Sequence, residues 1–173
     1  MKIEEKISKW VDRHSEHIVE TLCDLIKFKS IVKSNPKNAG PGEKNCQEFL
    51  KARLENIGMK TDLWEPDGPK LLQKYRNRPG ANEGRTFVGR PNLGGVLHGK
   101  GSGRSLMFTG HIDVVPPGEL SHWRGDPFEP KVENGLIRGR GSVDMKGGVC
   151  AMLCAIECLV KNKLFPKGDI VFT

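Results

Sequence analysis

The chain has 173 residues, 36% hydrophobic and 28% charged, which are the proportions of a globular domain with its own core rather than of a disordered chain. A formal net charge of +7 would permit anionic partners, yet the basic residues are scattered without an aromatic-studded stripe, which argues against nucleic acid. No apolar run approaches the roughly 20 residues of a membrane span, and Met1-Lys2-Ile3-Glu4-Glu5 is no signal peptide. Five cysteines without a CxxC pair suit a reducing compartment, so a cytoplasmic protein that binds neither nucleic acid nor membrane is expected.

Taken in order, Ile3, Ile7, Trp10, Ile18, Leu22, Leu25 and Ile26 recur at helical spacing, with an interruption at residues 13–15, and predict one or two amphipathic helices over residues 2–29. His14 and His17 within them read as surface histidines rather than ligands. The Asn, Pro and Gly of residues 33–42 predict a loop, and residues 43–57 a helix that Gly58 stops. Residues 59–64 alternate as a strand, residues 65–69 turn, and residues 70–90 offer only a short helix.

Residues 92–98 read as a strand, and the glycine cluster of residues 99–104 as a hairpin turn into a second strand at 105–109. That cluster lacks the spacing of a phosphate loop and precedes a strand, not a helix. His98 and His122 read as solvent-facing histidines, and Trp123 and Phe128 as the residues that pack the loop of residues 114–122 against the body. Asn134-Gly135 predicts a two-residue hairpin turn. Residues 149–160 are almost wholly apolar and read as a core helix, with Ala151 and Ala155 allowing close approach to a sheet. Cys150, Cys154 and Cys158 form a stripe on it, read as small buried hydrophobes because three thiolates on one regular helix cannot converge on an ion. Residues 170–172 begin another strand. Strands alternating with helices give an α/β fold, a mixed sheet flanked by helices.

Two clusters carry chemistry. Gly110-His111-Ile112-Asp113-Val114-Val115-Pro116 follows an apolar strand, and alternate side chains of an extended segment share a face, so His111 and Asp113 are expected side by side. That suits an imidazole ligand and the carboxylate that orients it. In Gly139-Arg140-Gly141-Ser142-Val143-Asp144-Met145-Lys146-Gly147-Gly148, Asp144 stands where a dinucleotide fingerprint would place its third glycine. A carboxylate there repels a pyrophosphate and favours a cation.

These two clusters, with Trp123, Asp126-Pro127-Phe128, Gly135 and Gly168-Asp169-Ile170-Val171-Phe172-Thr173, resemble the M20 metallopeptidase family, which includes acetylornithine deacetylase, succinyl-diaminopimelate desuccinylase, aminoacylase and carboxypeptidase G2. The resemblance implies that residues 1–173 are the N-terminal, incomplete portion of a zinc-hydrolase catalytic domain, without its lid or dimerisation domain. It implies two zinc ions in the complete enzyme, with cobalt as a substitute, His111 binding one, Asp144 bridging both, and Asp113 holding His111. It further implies a homodimeric enzyme that hydrolyses the amide of a small N-acyl amino acid. The family's glutamate pair has no counterpart in these residues, so the isolated chain is expected to be inactive. The alternative is a catalytically dead remnant serving as a binding or regulatory module.

Overall fold

A computed structural model describes residues 2–32, 41–79 and 87–173. Most of the loop expected at residues 33–42, and residues 80–86 of the stretch that was hardest to read, lie outside them. The N-terminal periodicity resolves into two helices, α1 (Ile3–Arg13) and α2 (Ser15–Lys27). His14 separates them: its N–H closes the last turn of α1 on Trp10, its Nδ1 donates to the same carbonyl at 2.7 Å, and its ring stacks on the indole. The helix α3 (Gly42–Asn56) ends before Gly58, whose φ of +85° only glycine adopts without strain.

Next come β1 (Lys60–Trp64), α4 (Gly68–Tyr75), β2 (Asn92–Leu97) and β3 (Leu106–Phe108). The hairpin strands β4 (Lys131–Glu133) and β5 (Leu136–Arg138) turn through Asn134 and Gly135, both at positive φ, as the Asn-Gly pair demands. The helix α5 (Lys146–Lys161) begins one turn earlier than its apolar run suggests, and β6 (Ile170–Phe172) follows.

The main sheet has the order β1-β2-β6-β3, with β1, β2 and β6 antiparallel in sequence of neighbours and β3 parallel to β6. The glycine cluster of residues 99–104 is therefore not a hairpin turn. β6 inserts between β2 and β3, pairing Ile170 with Leu97 on one side and with Leu106 on the other. The glycines serve that insertion: a Cβ at Gly99 would run into the carbonyls of Lys167 and Gly168, and one at Gly103 would meet the Lys167 side chain at 2.7 Å.

One face of the sheet is covered. Leu93 and Leu97 of β2 and Ile170 and Phe172 of β6 pack with Cys46, Leu50 and Leu54 of α3, Val149, Leu153 and Ile156 of α5, and Leu25 of α2. Burial of each such leucine or isoleucine contributes about 1.5–3 kcal/mol. Gly95 permits the approach of α3, since a Cβ there would already lie 3.1 Å from Leu54. The alanines of α5 do not face the sheet. Ala151 and Ala155 are exposed and line a groove with Ile7, Trp10 and Val11 of α1. Cys150, Cys154 and Cys158 are buried, as their reading as small hydrophobes required. The Cys150 and Cys154 sulfurs are 4.0 Å apart, and this contact lowers the Cys154 thiol below its ordinary pKa while raising that of Cys150.

The two faces of α5 predict opposite responses to small substitutions. Leu153→Ala should lower unfolding free energy in urea by about 2–5 kcal/mol, because it opens a cavity in the core. Ala151→Ser on the exposed face should stay within about 0.5 kcal/mol of the parent.

Candidate metal centre

β3 stops at Phe108, and the chain then runs as an irregular segment clamped from both sides. Gly110 donates to Thr173 at 2.8 Å and Thr173 donates to Phe108 at 2.9 Å, so the segment leaves the carboxyl end of β3 against the end of β6. Further on, Val114 donates to Ser30 and Val32 to Val114, both at 2.9 Å, and the Ser30 hydroxyl donates to Ile112 at 2.6 Å. His111 and Asp113 thus sit in a pinned loop, not in the strand expected from their alternation.

The second cluster is a tight strap from Gly139 to Met145. A Cβ at Gly139 would collide with Ile26 at 2.6 Å, and one at Gly141, whose φ is +85°, with Val114 at 2.6 Å. Asp144 follows, joined to Met145 by a cis peptide bond, immediately before α5.

Lys146 anchors the strap. It is 0% exposed, its backbone N–H donates to Gly141, and its Nζ donates to the carbonyls of Leu25 and Phe28 at 2.8 and 2.7 Å. Those carbonyls belong to the last turn of α2 and its end, where each also accepts one backbone N–H, from Phe28 at 3.3 Å and from Ser30 at 2.8 Å. Burial pushes the Lys146 ammonium down to about 8, and burial raises the neighbouring Cys46 thiol to about 11.

The two clusters meet. His111 Nε2 lies 3.0 Å from Asp144 Oδ1, and the Asp144 side chain is otherwise 85% exposed. On the far side of the ring, Nδ1 lies 3.1 Å from the Asp113 backbone carbonyl and 3.4 Å from its carboxylate. Both ring nitrogens face acceptors. With the ring proton on Nδ1, Nε2 directs a lone pair at a carboxylate oxygen 3.0 Å away. Two Lewis bases so placed repel unless a proton or a cation lies between them. The orienting contact differs from the expected one in one respect: the backbone carbonyl of Asp113 is nearer than its side chain.

On the His111 side, away from Asp144, Glu43, Gln47, Arg90, Asn92 and Gly110 join His111 and Asp113 in a pocket of about 140 Å³. Its wall is held by a bidentate ion pair, Arg90 Nε and Nη2 each 2.9 Å from a different oxygen of Glu43, with Arg90 only 6% exposed. A larger cleft of about 540 Å³, lined by His122, Trp123, Arg124, Lys131, Arg138 and Ser142, excludes both His111 and Asp144.

In the rim loop, Trp123 Nε1 donates to Pro117 at 3.0 Å and Phe128 is buried, so both aromatics pack as expected. The Phe128 N–H, and then Lys29, hold the Asp126 carboxyl below its usual range. His98 is exposed beside Asp169, outside the site. His17 departs from the surface reading, because its Nε2 lies 2.9 Å from Glu157, a buried acid of α5. The lone acid in an apolar helix was the signal for that contact.

Known proteins resemble the chain in sequence and in fold. Residues 107–173 match peptidase family M20/M25/M40. The chain is 35% identical over 159 residues to a succinyl-diaminopimelate desuccinylase of Methylocella silvestris, covering 90% of this chain and 34% of the relative. It is 28% identical over 174 residues to an N-formyl-4-amino-5-aminomethyl-2-methylpyrimidine deformylase of Halalkalibacterium halodurans, covering 99% of this chain and 35% of the relative. Human carnosine dipeptidase 1 has the same fold over 97% of this chain and 33% of its own, with a TM-score of 0.77 at 20% identity. The chain therefore spans about a third of the length of these relatives.

Lys146→Met removes two charge-assisted hydrogen bonds, to carbonyls that each keep one backbone donor, and should cost about 1–3 kcal/mol at pH 7 in urea unfolding. The sign of its pH dependence follows from a folded value near 8 below the ordinary 10.5. The cost of burying the charge is fully present below pH 8 and is relieved as pH rises toward 10.5, because there the unfolded chain holds more protons. Wild type should thus gain on the Met variant above pH 8, by up to roughly 2–3 kcal/mol, a comparison in which the opposing effect of Cys46 largely cancels.

Proposed function

We propose that the chain, whose residues 107–173 match peptidase family M20/M25/M40, belongs to that family and carries part of the metal centre of a zinc-dependent hydrolase that cleaves an amide bond in a small N-acyl compound. His111 and Asp144 are the ligands in this reading, and Asp113 fixes the tautomer of His111. The observation that carries it is His111 Nε2 lying 3.0 Å from the Asp144 carboxylate, with the opposite ring nitrogen facing acceptors. Nitrogen and carboxylate donors in that arrangement suit zinc, with cobalt as a substitute. A divalent cation held there supplies Lewis acidity toward an amide carbonyl.

The residues of the chain supply orientation and access. The pinned loop of residues 110–114 keeps the imidazole at the carboxyl ends of β3 and β6, and the strap anchored by Lys146 brings the carboxylate to it. The relatives are named for removing succinyl and formyl groups and for cleaving dipeptides, and the common bond is an amide. An N-acyl amino acid such as acetylornithine belongs to that class.

Among the described residues, no third His, Cys, Asp or Glu atom lies within 4.8 Å of both donors. A closed zinc site needs three or four protein ligands. The 173 residues by themselves are accordingly expected to bind zinc weakly and to hydrolyse nothing. The five cysteines are all free, and a reducing, cytoplasmic setting belongs to the same reading.

Zinc titration followed by NMR of the His111 ring tests the assignment, because the signal reports on that imidazole alone. Wild type should show zinc-dependent shifts of the ring resonances. Asp144→Ala should weaken the apparent affinity at least about tenfold, whereas Asp113→Asn should cost less than about tenfold, since the backbone carbonyl still holds Nδ1. A ring that ignores saturating zinc, or an Asp144→Ala variant that titrates like wild type, overturns the reading.

A further inference from the structure

A second cluster of donors lies on the flank of α5, away from His111 and Asp144. Cys154 is eight residues beyond Lys146, about 12 Å along the helix at 1.5 Å per residue. Cys154 Sγ, His17 Nε2 and a Glu157 carboxylate oxygen all lie within 4.8 Å of one another. Cys150 adds a second sulfur, 4.0 Å from that of Cys154. We propose that Cys150, Cys154, Glu157 and His17 form a binding site for a thiophilic divalent cation, with zinc, cadmium and cobalt as the chemical class.

The distances suit such an ion. Two sulfurs bound at about 2.3 Å in a tetrahedron stand about 3.8 Å apart, and the present separation is 4.0 Å. Nitrogen and oxygen ligands at about 2.0–2.1 Å stand about 3.4 Å apart, against 2.9 Å between His17 Nε2 and Glu157 Oε2. Cys150 lies outside the set of donors within 4.8 Å of one another and joins it through its contact with Cys154, so its side chain must turn toward the ion. The objection that one helix cannot wrap an ion does not hold here, because the imidazole comes from α2 and completes the shell from outside α5. His17 also provides the entrance: its side chain is 42% exposed, while that of Glu157 is 7% exposed.

Arg53 of α3 is compatible with an ion at this place. Its Nε and Nη2 both go to Glu157 Oε1, at 3.1 and 2.6 Å, and it also reaches Thr21 at 3.3 Å. Among the described residues Oε2 faces only the His17 imidazole, a metal would stand between the two, and a carboxylate whose other oxygen is hydrogen-bonded is a well-oriented ligand. The Nη2 also approaches His17 Nε2 at 3.1 Å and must draw back from it when the imidazole binds an ion. Charge balances in both states. Without metal, the Arg53–Glu157 pair is neutral as a unit. Binding releases two thiol protons to solvent and admits one dication, so no net charge is added to a buried place.

Cobalt reports thiolate ligation directly. The reduced, chelator-treated chain is titrated with Co2+ under exclusion of air, and the thiolate-to-cobalt charge-transfer absorption is recorded. Wild type and His111→Ala should both develop it, which separates this site from the proposed catalytic one. Cys154→Ser should abolish it, Cys150→Ser should weaken it, and His17→Gln should lower the apparent affinity at least about tenfold. His17 is half exposed, so its variant keeps the fold even where a cysteine variant does not, as a circular-dichroism melt of each protein will record. Wild type without the charge-transfer band at saturating cobalt overturns the site, as does a band that survives in Cys154→Ser or is unchanged in His17→Gln.

Discussion

One ammonium group ties the two halves of the centre together. Lys146 reaches back from the first turn of α5 to the carbonyls of Leu25 and Phe28, where α2 ends. An ammonium buried without partners would be costly, so Lys146 depends on these two carbonyls, each of which gives it a second lone pair beside the one taken by a backbone N–H. The consequence is geometric. The strap that carries Asp144 runs between Gly139, pressed on Ile26 of α2, and Lys146 itself, so its path is fixed at both ends by the same helix terminus. The carboxylate is exposed, but the backbone beneath it is not free.

The other half depends on sheet topology. Because β6 lies between β2 and β3 and runs parallel to β3, both strands finish on the same side, and the loop bearing His111 emerges there. Open α/β sheets hold ligands outside the carboxyl ends of their strands, where loops can vary without disturbing the core. This loop is more constrained than that general rule requires. Its bonds to Ser30 and Val32 make the chain just after α2 part of the same scaffold. The end of α2 thereby supports both His111 and Asp144.

Much of this was legible in the sequence, because the relevant signals are local. The helical periodicities, the stop at Gly58 and the Asn-Gly hairpin follow from residue types within short windows, whereas the approach of His111 to Asp144 was implied by the family resemblance. What was not legible is long-range. The glycines of residues 99–104 look like a hairpin turn in isolation, and only the insertion of a strand some seventy residues later shows why backbone must pass so close to backbone there. The same holds for Ala151 and Ala155: their small size suited contact with a sheet or with solvent, and the choice depended on how α1 packs. The partners of Lys146 were beyond reach for the same reason, since backbone carbonyls carry no sequence signature. Glu157 was the exception that could have been caught, because an acid within an apolar helix has to find cations.

Those cations explain a further property of α5. An almost wholly apolar helix against an apolar sheet gains similar burial in several rotations and offsets, since dispersion and hydrophobic contacts are not directional. Polar anchors remove that freedom. Lys146 fixes the first turn of α5 against α2, and Glu157, three turns on, is fixed by His17 of α2 and Arg53 of α3. A shift of α5 by one residue would move both charged groups from their partners while leaving most apolar contacts replaceable. The buried charges therefore add more to the uniqueness of the packing than to its free energy. That uniqueness is what a metal centre needs, because the carboxylate of Asp144 projects from the residue pair that precedes α5 and inherits the helix's position.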